Sequence, residues 1–170
     1  MKWLKLAVSA AIVAGAFVTL RYVAWTPVRC HDVAMNVIRR TQRMEKWSDA
    51  IAITIATREN LERIEPCRHD LPWVINLQML AGANYSAREM HEEAIRVYEE
   101  ALRYDYRPEI YFNLGMELLK AGHVEESIEP LTIACTVRTD FIDEIPNLDV
   151  RGRVMALAAR RVILPTPSQR

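Results

Sequence analysis

The sequence predicts an all-α fold: about three antiparallel helical hairpins plus a carboxy-terminal capping helix, behind one amino-terminal transmembrane helix. Three observations predict it. Beyond Arg29 apolar residues recur at spacings of three and four, with no alternating run of any length. Two blocks of the chain share one internal pattern at an offset of 33 residues. The first 27 residues carry only Lys2, Lys5 and Arg21, whereas every acidic residue lies at Asp32 or beyond. The chain divides accordingly into an anchor or signal-anchor over 1–27, a helical domain over 28–163 and a polar tail over 164–170.

Composition narrows the function. Apolar residues make up 51% of the chain against 26% charged, which excludes a disordered polymer. The 22 basic and 22 acidic residues cancel, so no global cationic field exists to hold nucleic acid. Three cysteines are too few for a disulfide-stapled miniature scaffold.

Fifteen uncharged residues run from Leu6 to Leu20. From Trp3 to Trp25 the helix is roughly 34 Å long at about 1.5 Å per residue, enough to cross a bilayer core. Lys5 and Arg21 can extend their charges outward, and Trp3, Tyr22 and Trp25 stand where interfacial aromatics belong. Pro27 is expected to stop or kink this helix. A cleaved signal peptide is the rival, with Ala14-Gly15-Ala16 as its small-x-small site. Ala7, Ala11 and Gly15 make a small-residue face on which a second membrane helix can pack. Lys/Arg counts favour a cytoplasmic domain, whereas the short basic tail fits a signal-anchor that exports the domain behind it.

The first hairpin is predicted as helices over about 31–43 and 46–65. Val33 or Ala34, Val37, Ile38 and Thr41 point inward from the first. Ala50, Ile51, Ile53, Thr54, Thr57, Leu61 and Ile64 do so from the second, with Ser48 or Asp49 near its start. IAITIAT reads locally as a strand, but the length and the charged residues after it favour helix. Pro66 is expected to end this helix and Asp70 to cap the next, with Pro72 in its first turn. Further helices are expected over about 71–85, 88–105, Pro108 to near Gly122, and on to Arg138 with a bend at Pro130. A short FIDEI segment precedes a last helix over 148–163, where Val150, Val154, Leu157 and Ala158 form one stripe.

The two similar blocks are INLQMLAGANYSAREMHEEAIRVYEEALRYDYR from Ile75 and PEIYFNLGMELLKAGHVEESIEPLTIACTV from Pro108. Gln78, Ala81, Gly82 and Tyr85 of the first match Tyr111, Leu114, Gly115 and Leu118 of the second. Ala94, Tyr98 and Ala101 match Ser127, Leu131 and Ala134. The pattern resembles the tetratricopeptide repeat family, whose period is about 34. Gly82 and Gly115 then let paired helices approach, and Tyr98 and Leu131 fill the space between hairpins. Residues 31–66 resemble a more divergent repeat, without the glycine.

The resemblance implies a partner-binding groove lined by the first helix of each hairpin. Its positions here are Asn76, Met79, Ala83 and Ser86, then Glu109, Phe112, Asn113, Met116, Leu119 and Lys120. Asn113 agrees with family members that clamp a terminal carboxylate, but Glu109 and Phe112 stand where those members place lysines. Met79, Phe112, Met116 and Leu119 suit an apolar peptide or helix, or else pack beneath the chain's own last helix.

Cys30 and Cys67 sit at ends that antiparallel helices bring together, so a disulfide is expected there; such bonds persist in oxidising compartments. Cys135 reads as a buried thiol, and His91 and His123 as solvated turn residues. Cys30, His31, Cys67 and His69 lack the spacing of a zinc site, and no cofactor motif is present. Glu92, Glu93, Glu125 and Glu126 open helices, where the helix dipole favours them. Ser86, Ser127 and Cys135 have no acid-base partner visible in sequence, so no enzyme activity is expected. Arg151, Arg153, Arg160, Arg161 and Arg170 form an acid-free stretch open to an acidic patch or lipid headgroups. The sequence thus points to a membrane-anchored adaptor with protein partners, a membrane protein among them, and its domain exported. A soluble exported form and a cytoplasm-facing peptide receptor remain the alternatives.

Overall fold

A computed structural model describes residues 14–44 and 50–163, and every regular element among them is helical. Residues 14–19 are α-helical and lead into a π-turn, Leu20–Trp25. Seven α-helices come after it: α1 Thr26–Met44, α2 Ala50–Asp70, α3 Ile75–Ser86, α4 His91–Ala101, α5 Pro108–Lys120, α6 Val124–Val137 and α7 Leu148–Ile163. A 3-10 helix, Thr139–Glu144, joins α6 to α7. From α1 to α7 each α-helix packs on the next, so the chain forms a sequential stack.

Two prolines do not end their helices. Pro27 does not stop the amino-terminal helix, because the π-turn absorbs its missing N–H. Thr26 donates both its backbone N–H and its hydroxyl, at 2.9 Å, to the Arg21 carbonyl. Pro66 lies inside α2 rather than at its end. The carbonyl it leaves without an N–H partner belongs to exposed Glu62, where water can reach it, so the helix continues one more turn. Asp70 therefore closes α2 and does not cap α3, which starts at Ile75 after a Leu71–Val74 turn.

Other starts reflect local chemistry. Pro108 supplies the preset first position of α5. The Asn147 side chain accepts the N–H groups of Asp149 and Val150, both at 3.1 Å, and so caps α7. Between α5 and α6 the chain reverses through Gly122 at φ 88°.

Buried side chains form three clusters along the stack. Cys30, Val37, Leu61, Ile64, Leu77 and Val97 join α1–α4. Ile75, Ile95, Tyr98, Ile110 and Leu114 join α3–α5. Phe112, Leu131, Phe141, Ile145, Val150 and Val154 join α5, α6, the 3-10 helix and α7. Val150, Val154 and Ala158 face inward as expected, but Leu157 is exposed. Ile51, expected inward, is 73% exposed; Ala56 and Asn60 take the buried positions beside Thr57, Leu61 and Ile64.

Gly82 and Gly115 are both buried. A Cβ on Gly82 would fall on the Tyr98 ring, and one on Gly115 would lie 2.5 Å from Leu131 Cγ. The two hairpins therefore use the same close approach, 33 residues apart.

Ala7 and Ala11, like the first part of the expected membrane span and the Ser48 or Asp49 start signal, lie outside the described residues, as does the tail over 164–170. Gly15 is described and exposed, and its carbonyl accepts the Thr19 hydroxyl at 2.8 Å. Among the described residues no helix is long and apolar enough to cross a membrane.

Candidate functional site

The Cys30 and Cys67 sulphurs are bonded, with Cα atoms 5.4 Å apart, and tie the start of α1 to the end of α2. Both cysteines are buried and neither thiolate is available to a metal, which removes the weak zinc set.

The groove positions divide into two environments. Phe112 is buried and stacks on Phe141, ring centroids 4.4 Å apart. Met116 and Leu119 pack against the same cluster, so the chain's own 3-10 helix and α7 cover this apolar part. Met79 packs against the α3–α5 cluster. Glu109 pairs with Arg138 at 3.0 Å, and Asn113 is half-buried. Asn76 and Ala83 are exposed on α3.

Ser86 and Lys120 meet at a polar centre that sequence reasoning missed. Ser86 ends α3, and the next turn, with Glu89 at φ 59°, sets His91 beside it at the start of α4. Three backbone hydrogen bonds close that turn: Arg88 and Met90 donate to the Tyr85 carbonyl and Glu89 to the Ser86 carbonyl. From α5, Glu117 reaches the same point and is only 3% exposed. Its Oε1 accepts from Ser86 Oγ at 2.7 Å and Lys120 Nζ at 2.6 Å, and its Oε2 from His91 Nδ1 at 2.8 Å. Burial alone would raise the Glu117 pKa; hydrogen bonds from Lys120, Ser86 and His91, with the Lys120 charge, outweigh it and hold the carboxyl below its ordinary value. His91 is thus engaged, not simply solvated, and Ser86 has partners after all. The hydrogen bonds of Ser86 run to the carboxylate and to Lys120 Nζ at 3.1 Å. That geometry locks α3, α4 and α5 together. One signal was available: Glu117 interrupts the apolar run Leu114 to Leu119, with lysine three residues on.

A second polar junction joins α2 to α3 and α4. Arg68 pairs with Glu65 at 2.9 Å and Glu100 at 2.5 Å and donates to Gln78 Oε1 at 3.3 Å, while the Tyr85 hydroxyl donates to Glu65 at 2.9 Å. Deeper, Asn60 Nδ2 donates to Asn84 Oδ1 at 3.0 Å.

The acid-free stretch near the carboxy-terminus is largely committed within the chain. Arg153 pairs with Glu125 at 2.6 Å and Arg161 with Glu129 at 2.6 Å, pinning α7 to α6. Arg151 donates to the carbonyls of Ile145 and Asp143. Arg160 is exposed, and Arg170 lies outside the described residues. His123 bridges Glu92 at 3.1 Å and Glu126 at 3.3 Å, and these charges and bonds raise its pKa. Cys135 is buried, which with the charges of Asp140 and Glu144 pushes its thiol up to about 11.

No protein-family model matches the chain, and no curated protein matches it.

Proposed function

We propose that the chain is a membrane-anchored helical-repeat adaptor that holds a partner protein in a membrane or envelope complex. The observation that carries this reading is the run of outward apolar side chains on the segment feeding the stack. Phe17, Val18, Leu20, Tyr22, Val23, Trp25 and Val28 are all exposed, and their helix continues through the π-turn into α1. Such a surface needs a covering, and a bilayer is the covering its aromatic and basic flanks suit.

The tetratricopeptide-like reading draws support from the paired contacts of Gly82 with Tyr98 and Gly115 with Leu131. The disulfide supports an exported domain. With Phe112, Met116 and Leu119 engaged by the chain itself, the partner surface is the α3 face around Asn76 and Ala83, extended by Ser86 and Lys120.

The test is gentle detergent extraction of the full chain, intact mass measurement and identification of copurifying proteins. Membrane retention without carbonate release, an intact amino-terminus and a partner lost on Ala83→Arg or Asn76→Arg are the expected results. Loss of about the first sixteen residues in the mature chain would replace the anchor with a signal peptide. A partner retained by both variants would move the binding surface elsewhere.

A further inference from the structure

About half of the described arginines of the stack are committed to carboxylates or carbonyls, and the first hairpin gathers several of the others in one place. Arg39, Arg40 and Arg43 on α1 and Arg63 on α2 line one open cleft of about 910 Å³, together with Asn36 and Gln42. Among the described residues only Arg40 of the four has a carboxylate, Glu59 at 2.5 Å. No described carboxylate pairs with Arg39, Arg43 or Arg63, and all three are exposed. The helix dipole accounts for a cation in the last turn of α1, where Arg43 lies, but not for Arg63 of α2, which lines the same cleft. Like charges so gathered repel one another unless an anion joins them.

We propose that this cleft binds a phosphate-bearing ligand. The lining supplies four guanidinium forks and two carboxamides, and among the described residues one carboxylate pairs with only one of the four. Guanidinium groups stay protonated at any physiological pH and meet phosphate oxygens through paired N–H bonds. A phosphate group brings nearly two negative charges and three acceptor oxygens to one point, which arginines lining one cleft can meet from two helices. Two sources carry that chemistry: a soluble polyphosphate and an anionic lipid headgroup.

The experiment uses the full disulfide-bonded chain in neutral maltoside micelles at about 150 mM salt. Tripolyphosphate is titrated calorimetrically in one arm; in the other, micelles are doped with phosphatidic acid or, as reference, phosphatidylcholine. Saturable binding in either phosphate arm is expected, weakened at least tenfold in Arg39→Gln/Arg43→Gln and in Arg63→Gln. Arg58→Gln, whose arginine pairs with Glu62 on α2 outside the cleft, is expected to bind as the parent does. The arm with the tighter binding names the source. Far-ultraviolet circular dichroism and an unreacted Cys135 thiol count verify that each variant keeps its fold. Absence of binding in both arms, equal loss in Arg58→Gln, or tighter binding of an oligoglutamate peptide than of tripolyphosphate overturns the assignment.

Discussion

Tyr98 occupies the space that a side chain on Gly82 would need, so α3 and α4 meet at a contact that a Cβ would crowd. Leu131 stands in the same relation to Gly115, and there the Leu131 backbone nitrogen is also only 3.2 Å from the absent Cβ. A ring end can shift, but a helix backbone resists. Gly115→Ala is therefore expected to cost about 1–3 kcal/mol by overpacking. Gly152→Ala, inside α7 with nothing within 4 Å, is expected to stabilise by about 0.5–1 kcal/mol through helix propensity. Urea midpoints of the two variants should move in opposite directions. Equal shifts would mean that the α5–α6 contact is not close.

The disulfide spans 37 residues of sequence. Opening it frees that length of the unfolded chain, at a cost of about 2–4 kcal/mol. Cys30→Ser/Cys67→Ser should lower the melting temperature, and reductant should lower that of the parent by a similar amount while leaving the double variant unchanged. A parent insensitive to reductant would show that the bond does not form.

Glu117 makes stability depend on pH in a definite direction. Its folded-state pKa is depressed, so its contribution is fully present above the unfolded value of about 4.3 and fades as pH falls through the folded value. Glu117→Gln should lose about 1–3 kcal/mol at pH 7, and the gap to the parent should close in strong acid. Urea titrations at pH 7 and below pH 4 measure both. A gap that stays constant across that range would remove the carboxylate's charge from the account.

Phe112 belongs to the fold in the described arrangement. Phe112→Ala removes a buried ring stacked on Phe141 and should cost about 3–5 kcal/mol. Arg153→Ala, which breaks an exposed pair with Glu125, should move the melting temperature far less. Thermal melts compare them. A stable Phe112→Ala protein would mean that the 3-10 helix and α7 do not cover α5.

The helices from α3 to α7 were legible because their apolar spacing, the Pro108 start and the Gly122 reversal all act within one or two turns of chain. The repeated glycine and bulky residue were legible for the same reason: the contact recurs at a fixed offset. Pro66 misled, and Pro27 left two outcomes open, since whether a proline ends a helix depends on where the freed carbonyl points and whether a π-turn can absorb the defect. The Glu117 centre was hidden because its partners stand 31, 26 and 3 residues away, on three helices.

The order of the helices, the pairing of Cys30 with Cys67 and the close approach at Gly82 and Gly115 were determined by the amino-acid sequence itself, since they arise from local periodicity, the ends of one antiparallel hairpin and a repeated offset. Only the tertiary structure decided that Phe112 lies under Phe141, that Arg153 and Arg161 turn back to α6, and that Glu117 is buried among Ser86, His91 and Lys120. Those outcomes rest on which side chains meet across separate helices, and helix spacing along one chain carries no record of its neighbours' faces.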